Sequence, residues 1–301
     1  MNFTHLEAFL SVARAGSVSG GAGRLNVSQP AVTREIKELE GRIGLILFDR
    51  LPRGVALTQA GHVLLTYAER IFALADAAES ELRELAGLTA GQLAVGASAT
   101  VGVYLIPDMI ARFNGTYPQV NIELNVVNTE LVEAGLMAQT YALGFIEGPY
   151  DANIFDAEEI GIDEIVIVAS PSHPMAGKKV AATTLLNKQL ILREPGSGTR
   201  AAVEEAYSRA NLTIVPAMSI SHTEAIKRML LRGKSLAYLS RLSVADELRR
   251  KELATVKLID FDIKRSLRMI WLKNRSFSPS TASFIALVRE ARLTDQKLTS
   301  E

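Results

Sequence analysis

Residues 26–34 constrain the fold of this chain more than any other stretch. They read Asn26-Val27-Ser28-Gln29-Pro30-Ala31-Val32-Thr33-Arg34. Ser28 is a favoured helix N-cap residue, and Pro30 lies in the first turn, where its missing N–H removes no hydrogen bond. The sequence therefore predicts a tight turn at residues 26 and 27, followed by the start of a helix.

Two shorter helical segments precede this helix. Apolar residues between Phe3 and Ala13 have helical spacing, Gly16-Ser17 closes that segment, and residues 18–25 form the second. Two helices, a tight turn and a third helix with a polar first turn make a helix-turn-helix, whose last helix enters the major groove of DNA. Because the side chains at its start can bond to base edges or phosphates, we expect DNA contacts from Ser28, Gln29, Pro30, Thr33, Arg34 and Lys37.

Residues 47–58 favour a small β-hairpin, or wing, with an apolar anchor, a Pro/Gly turn and then alternating apolar residues. Arg50 and Arg53 are predicted at its tip, where arginines contact phosphates or the minor groove. Standing alone they would be ordinary surface charges, but their position after a helix-turn-helix favours DNA contact. Residues 1–58 contain seven Arg or Lys against five acids, so affinity must depend on charge placement and on several heads acting together.

A long helix is predicted after the wing, because residues 58–88 contain no Pro and only two Gly, Gly61 near the start and Gly87 near the end. Apolar residues recur along it at intervals of three and four: Ala60, Leu64, Tyr67, Ile71, Leu74, Ala78, Leu82 and Leu85. Such a stripe can lie on the helix's own domain or pair with a second copy. We favour a coiled coil that joins two heads as a dimer.

Residues 92–301 alternate strands with helices, which is typical of parallel α/β sheets built from right-handed crossovers. Strands are predicted at 93–97, 120–127, 142–146, 165–169, 190–192 and 235–239, and helices at 101–114, 130–138, 200–210, 223–231 and 280–291. Possible crossovers at Gly161 and 260–264 suggest two similar lobes. The predicted domains are 1–58, 59–90 and 91–301, the last with lobe 1 at about 91–161 and 266–301 and lobe 2 at about 162–265.

A long string of residues runs through 3–61: Phe9, Val12-Ala13, Gly16-Ser17, Leu25, Ser28-Gln29-Pro30-Ala31, Leu39-Glu40, Leu47-Phe48-Asp49-Arg50, Leu57-Thr58 and Ala60-Gly61. In this string, and along its full length, the chain resembles LysR-type transcriptional regulators. The resemblance implies an α/β fold with an all-α-type head: a winged helix-turn-helix, a dimerising linker helix and a two-lobed effector domain like a periplasmic solute-binding protein. It also implies homotetramers that bend promoter DNA and contact RNA polymerase once a small molecule occupies the cleft.

The chain departs from the family pattern at Gly20, Gly21 and Gly23, where the family usually has alanines and a charged residue. Each glycine inside a helix costs about 1 kcal/mol relative to alanine. We therefore expect the second helix to depend on packing around Ala22 and Leu25, and Gly20→Ala with Gly21→Ala to raise the thermal stability of the head.

Two predicted strand ends can bind an effector, because doubly wound sheets hold ligands at the carboxyl ends of their strands. At Ser98-Ala99-Thr100, hydroxyls at a helix start suit an anion, or they simply cap the helix. At Gly196-Ser197-Gly198-Thr199-Arg200, a glycine nest with converging donors suits a carboxylate or an inorganic oxyanion, although Arg200 could instead form a structural salt bridge. Within the family, the string from Arg193 to Arg200 resembles regulators of sulfur and carbon assimilation.

Three more residues are candidates for the cleft: Thr129, Glu147 and His222. Thr129 heads the predicted helix at 130–138. Glu147 could orient the ligand or close the cleft. His222 could contact the ligand or respond to pH, although a single histidine is more often structural.

An enzyme and a stand-alone solute-binding protein are the competing classes. The four histidines lack metal-ligand spacing, there is no Cys and no Gly-x-Ser-x-Gly elbow, and Gly233-Lys234-Ser235 is no phosphate loop because position 228 is Arg228. A solute-binding protein would need a secretion signal and would lack residues 1–88. We therefore expect no catalytic residues, no metal site and no cofactor beyond a small effector. Without a signal segment or an 18-residue apolar run, the expected location is cytoplasmic, with no membrane partner.

Overall fold

The computed structural model describes residues 1–85 and 91–298. The chain forms two compact units, Met1–Glu79 and Ser80–Glu301, and the division lies inside a long helix. The domain bounds drawn from the sequence therefore remain a proposal, and the predicted end of the linker helix at 86–90 lies outside the described residues. Within the described ranges, every helix is too short or too polar to span a lipid bilayer.

The first unit is a winged helix-turn-helix, as predicted. Its elements are α1 (Phe3–Ala15), α2 (Val18–Leu25), α3 (Gln29–Ile43), β1 (Phe48–Arg50), β2 (Val55–Leu57) and α4 (Gln59–Leu85). Side chains cap each of the first three helices: Asn2, Ser17 and Ser28 accept hydrogen bonds from the N–H groups of His5, Gly20 and Ala31. These caps explain why a polar residue precedes each helix.

The core of the first unit contradicts our expectation for the glycines of α2. Ala22 is buried and Leu25 packs against the same core, as predicted. A Cβ added at Gly21, however, would lie 2.6 Å from Cγ2 and 2.9 Å from Cα of Val12, and one at Gly20 would lie 2.8 Å from Oγ of Ser17. Gly21 is therefore needed for the close approach of α1 and α2, and the predicted stabilisation by the double alanine substitution is wrong.

Two neighbouring glycines should now respond in opposite ways to alanine. We expect Gly21→Ala to lower the free energy of unfolding by about 1–3 kcal/mol, since the new methyl overpacks the contact with Val12. Gly23→Ala should raise it by about 1 kcal/mol, because no neighbouring atom lies within 4 Å of its added Cβ and alanine favours the helix. Urea unfolding of the two variants tests this, and equal stabilisation by both would contradict the packing argument.

The apolar stripe of α4 divides into two edges. Ala60, Leu64 and Ile71 pack against the core of the first unit beside the fully buried Ala68. Tyr67, Leu74 and Leu82 are instead 57%, 52% and 67% exposed, and Ala78 is exposed too. The side chain of Leu85 lies outside the described part. The reading of a helix that lies on its own domain therefore holds for one edge, and the other edge is exposed.

The second unit contains a ten-stranded sheet in the order β4-β3-β5-β12-β6-β10-β8-β9, with β11 pairing with β6 and β7 with β11. Its strands are β3 (Gln92–Ser98), β4 (Asn121–Val127), β5 (Leu143–Glu147), β6 (Phe155–Ala169), β7 (Lys179–Val180), β8 (Leu190–Leu192), β9 (Met218–Ser219), β10 (Leu236–Ser240), β11 (Ala254–Leu258) and β12 (Ile263–Leu272). Its helices are α5 (Ala99–Tyr104), α6 (Ile106–Thr116), α7 (Thr129–Met137), α8 (Ala182–Leu185), α9 (Gly198–Arg209), α10 (Thr223–Arg232), α11 (Arg241–Arg249) and α12 (Pro279–Leu298).

Two long antiparallel strands correct the prediction of purely parallel sheets. The parallel prediction holds for β4-β3-β5 and for β10-β8-β9. Strands β6 and β12, however, pair antiparallel along their length, with a bulge between Leu267 and Arg268 beside Gly161. One apolar core, around Phe113, lies to one side of this bulge and another, around Tyr238, to the other. We call the half around Phe113 lobe 1 and the half around Tyr238 lobe 2.

The single helix predicted at 101–114 is in fact two helices. Helix α5 ends at Tyr104, Leu105 adopts φ −125°, and α6 begins at Ile106 with a proline in its first turn. Pro107 lacks the backbone N–H that would bond to the carbonyl of Val103, so α5 cannot continue through it, whereas proline is tolerated in the first turn of α6.

Candidate functional site

The first turns of α3 present a polar outer face. Val32, Ile36 and Leu39 point into the core of the first unit. A shallow surface depression of about 600 Å³ lies on the outer side, lined by Gln29, Pro30, Thr33, Arg34, Lys37 and Glu38. Five of these six lining residues are predicted from the sequence as DNA contacts, and the sixth is Glu38. Burial of the inner face brings these five side chains together.

Three of the predicted contacts already have intramolecular partners. Ser28 caps the helix, and the Thr33 hydroxyl donates to the carbonyl of Gln29 at 2.9 Å. Arg34 lies 3.2 Å from a carboxylate oxygen of Glu35 and 3.8 Å from one of Glu38, with its side chain 69% exposed. At this exposure the ion pairs are weak, so the guanidinium of Arg34 is free to exchange them for another acceptor.

The wing places its two arginines differently from the prediction. The hairpin pairs Phe48 with Leu57 and Arg50 with Val55, so Arg50 lies in strand β1 and not at the tip. Its side chain is outside the described part. Arg53 is exposed in the turn, as expected for a residue that reaches a phosphate or a groove.

The floor of the cleft between the lobes is a buried ionic network centred on Arg265. Its guanidinium donates to Asp163 at 2.7 and 2.9 Å, to the Thr199 hydroxyl at 2.9 Å and to the Thr100 hydroxyl at 3.0 Å. Asp163 also accepts a hydrogen bond from Ser240. Thr100 and Thr199 therefore lie close together, as predicted, and each hydroxyl accepts a hydrogen bond from Arg265. The sequence missed this arginine because nothing in its local pattern indicates a buried charge.

The start of α5 already holds a carboxylate. Glu147 is buried and accepts a hydrogen bond from the backbone N–H of Thr100 at 3.2 Å, and its other oxygen lies 3.5 Å from the Thr129 hydroxyl. Ser98 occupies the N-cap position without capping, and its buried Oγ has no hydrogen-bond partner among the described residues. Ala99 is half-buried beside it. An external anion at this helix start would meet the charge of Glu147, which weakens the sequence-based assignment.

The start of α9 forms the wall of a pocket of about 300 Å³ between the lobes. Ser197 precedes the helix without capping it, although the residue is buried. Gly196 has φ 81°, a conformation that favours glycine, and its carbonyl accepts a hydrogen bond from Glu130 N across the cleft. The lining residues are Thr129, Glu130, Glu133, Glu147, Pro149, Pro195, Gly196, Ser197, Gly198, Arg200, Ala201 and Glu204. The start of α9 therefore lines a cavity.

Internal carboxylates pair with the arginines beside this pocket. Arg200 binds Glu204 at 2.7 Å, one turn along α9, as in the salt-bridge alternative left open from the sequence. Arg193, buried and not predicted, makes a two-pronged bond to Glu194 at 2.8 and 3.0 Å. Because these cations are already neutralised, the remaining donors for an anion are mainly uncharged hydroxyl and backbone N–H groups.

Acidic side chains face the same pocket from lobe 1. Burial, together with the charges of Asp151 and Glu130, raises the pKa of Glu133. Glu147 completes the acidic lining. A ligand should therefore bind in this pocket more tightly when its hydrogen-bond donors face Glu130 and Glu133 of α7.

The remaining candidate, His222, lies elsewhere. It is exposed at the N-cap position of α10, makes no side-chain cap and does not line the described pocket. The structure thus groups Thr129, Glu147, Gly196, Ser197, Gly198 and Arg200 around one cavity, places Thr199 in the Arg265 network and leaves His222 apart.

Two family models match the chain over most of its length. One, a bacterial regulatory helix-turn-helix protein of the lysR family, matches residues 3–62, and the other, a LysR substrate binding domain, matches residues 86–292. The chain is 30% identical over 285 residues to a RuBisCO operon transcriptional regulator of Allochromatium vinosum, covering 94% of each protein. It is 32% identical over 283 residues to the HTH-type transcriptional activator CmpR of Synechocystis, covering 93% of this chain and 92% of CmpR.

Solved structures have the same architecture. Full-length CbnR in complex with its target DNA is 26% identical, with a TM-score of 0.72, covering 96% of this chain and 99% of that one. The regulatory domain of CcmR from Synechocystis PCC6803, in complex with 2-PG, is 26% identical with a TM-score of 0.62 and covers 67% of this chain and 97% of that domain. Similarity thus extends over both units.

Proposed function

The chain belongs to the LysR family of transcriptional regulators, and from that premise we propose that it is a promoter switch that reads DNA through α3 and responds to a small anionic effector bound between the two lobes. The observation that carries the proposal is the outward, exposed face of α3. Gln29, Thr33 and Arg34 would read base edges, while Ser28, Arg50 and Arg53 would contact phosphates or the minor groove. Pro30 and Lys37 belong to the same DNA-facing surface.

Two arginine substitutions separate sequence reading from backbone contact. We expect Arg34→Ala to weaken binding to a specific operator by about 1–3 kcal/mol and to relax sequence preference, because a base contact is lost. Arg53→Ala should weaken binding to all sequences alike and reduce the salt dependence by about one phosphate contact. Fluorescence anisotropy with operator and scrambled DNA at several salt concentrations measures both effects. Unchanged sequence preference in Arg34→Ala would contradict the assignment of α3.

Assembly follows from the exposed edge of α4. Tyr67, Leu74 and Leu82 expose large apolar side chains along one edge of the helix, as in a coiled coil with a second copy. A dimer places two copies of α3 on successive major-groove faces of an inverted repeat. A homotetramer, DNA bending and contact with RNA polymerase complete the mechanism, with the effector shifting the equilibrium between two arrangements for which it has different affinities.

The effector site that we propose is the pocket at the start of α9. An anionic group there would accept from the Ser197 hydroxyl and from the first N–H groups of the helix, where the helix dipole favours negative charge. Hydroxyl or ammonium groups of the same molecule would donate to Glu130 and Glu133. The complex of the related CcmR domain with 2-PG supports a small anion of this kind.

Thermal unfolding of the full chain with a panel of small anions tests the effector proposal. The panel comprises sulfite, sulfate, phosphate, nitrate, acetylserine and aliphatic and aromatic carboxylates. A ligand at one hundred times its dissociation constant stabilises the folded state by about 2.7 kcal/mol, a shift of several degrees. We expect Ser197→Ala to reduce the shift and Ser208→Ala, at an exposed position of the same helix, to preserve it. A shift that survives Ser197→Ala would place the ligand elsewhere.

A further inference from the structure

A histidine and two glutamates converge on the first unit between α1 and α3. His5 lies in the first turn of α1 and is only 4% exposed. Its Nε2 lies 3.4 Å from Oε2 of Glu35 and 3.4 Å from Oε2 of Glu38, which extend from consecutive turns of α3. One ligand atom from each of the three residues lies within 4.8 Å of the other two.

Hydrogen bonding explains this arrangement poorly. A charge-assisted N–H···O bond is about 2.7–2.9 Å long, well below the 3.4 Å separations of His5 from both carboxylates. The other ring nitrogen, Nδ1, is buried and has no hydrogen-bond partner among the described residues. His5 is therefore a buried polar side chain, and neither of its ring nitrogens makes a good hydrogen bond to the described residues.

The same distances fit a tetrahedral metal ion. Zinc binds imidazole nitrogen and carboxylate oxygen at about 2.0–2.2 Å, so two of its tetrahedral ligands are about 3.3–3.6 Å apart. The two 3.4 Å separations match that value. Glu38 is 54% exposed, so its carboxylate can adjust and a water molecule can complete the coordination.

The surrounding charges also favour a cation. Two carboxylates face a single guanidinium, and Arg34 contacts Oε1 of Glu35 and Oε1 of Glu38. The Oε2 atoms are the ones that face His5. Arg34 therefore contacts the carboxylate oxygens that an ion between the three residues would not use.

We propose that His5, Glu35 and Glu38 form a binding site for a divalent transition-metal ion, with Zn²⁺ the best match to one imidazole and two carboxylates. The ion would join α1 to the DNA-reading helix. Its charge would weaken the hold of both glutamates on Arg34 and release that side chain for DNA. This consequence, unlike the metal site itself, rests on the proposed function.

The test uses the untagged full chain after chelation and dialysis. We expect calorimetry to show one Zn²⁺ per chain with an affinity at least tenfold above that of Glu38→Gln, and Zn²⁺ to raise the Tm of the wild type but not of this variant. Co²⁺ in place of Zn²⁺ should give a visible absorption band that is lost in His5→Gln. Glu7→Gln, an exposed position of α1 outside the cluster, should behave as wild type.

Equal Zn²⁺ affinity in the wild type and Glu38→Gln, or a Tm insensitive to both Zn²⁺ and chelator, would overturn the site and leave His5 as an ion-pair partner only. Operator affinity of the wild type in chelator tests DNA reading without metal. Absence of operator binding both in chelator and with Zn²⁺ would refute the proposed function and leave the metal site standing. An increase in operator affinity on adding Zn²⁺, absent in Glu38→Gln, would support the link through Arg34.

Discussion

Arg265→Met is expected to destabilise the second unit by about 3–5 kcal/mol, the largest effect of any single substitution considered for this chain. Methionine fills much of the same volume but leaves Asp163 buried without its cation and also removes the donors to Thr100 and Thr199. Because β6 carries Asp163 and β12 carries Arg265, the loss falls on the strands that join the lobes. Urea unfolding followed by far-ultraviolet circular dichroism measures the change.

Arg241→Met provides the matched control. Arg241 also pairs with a carboxylate of β6, Glu164, at 2.5 Å, but the arginine and the glutamate are half and about one-third exposed. Exposed ion pairs contribute about 0–1 kcal/mol, so this variant should unfold close to the wild type. Similar losses in the two variants would mean that burial of the network is not what makes Arg265 important.

The second large effect concerns assembly. Replacing Tyr67 and Leu74 together by glutamate should convert the proposed dimer into monomers, because two carboxylates on each helix would have to be buried in the proposed coiled coil. Two linked heads bind an inverted repeat with an avidity about 10²–10⁴ above that of one head, so specific DNA affinity should fall by that factor. Analytical ultracentrifugation and anisotropy with operator DNA measure the two quantities.

The control for this experiment is His62→Glu, which adds a carboxylate to another exposed position of α4, near the start of the helix. It should remain dimeric and bind operator normally. Since Tyr67 and Leu74 are exposed, the double variant should retain the circular dichroism spectrum of the wild type. A dimer that persists in the double variant would exclude this edge of α4 as the interface.

The head was predictable from the sequence because its signals are local. Ser28, Pro30 and the helical spacing of apolar residues act within one or two turns, and the caps lie where those signals place them. The cost of a Cβ at Gly21 could not be predicted, since it arises from Val12 on a different helix. Propensity alone gave the wrong sign there because tertiary packing overrides it.

The contacts in the cleft were less predictable than those in the head, because they too join residues of different elements. Its partners are far apart in sequence: Arg265 meets Thr100 across 165 residues and Asp163 across 102. The group of His5 with Glu35 and Glu38 escaped notice because the ligands come from different helices, which no short spacing motif describes. Conversely, four of the five residues at 196–200 line one cavity, because a strand-to-helix turn keeps neighbours together.

The order of the strands affects synthesis as well as stability. Strand β5 is paired with β3 on one side and with β12 on the other, and more than one hundred residues separate β5 from β12 in the chain. At the usual rate of translation β5 therefore waits roughly 5–25 s as an unpaired edge. Its residues Leu143, Phe145 and Ile146 are fully buried in the finished protein, and α12 also reaches the lobe 1 core only at the end. Aggregation during translation is consequently a hazard for lobe 1. Lobe 2 differs, because its strands β8–β11 are translated together, between β5 and β12.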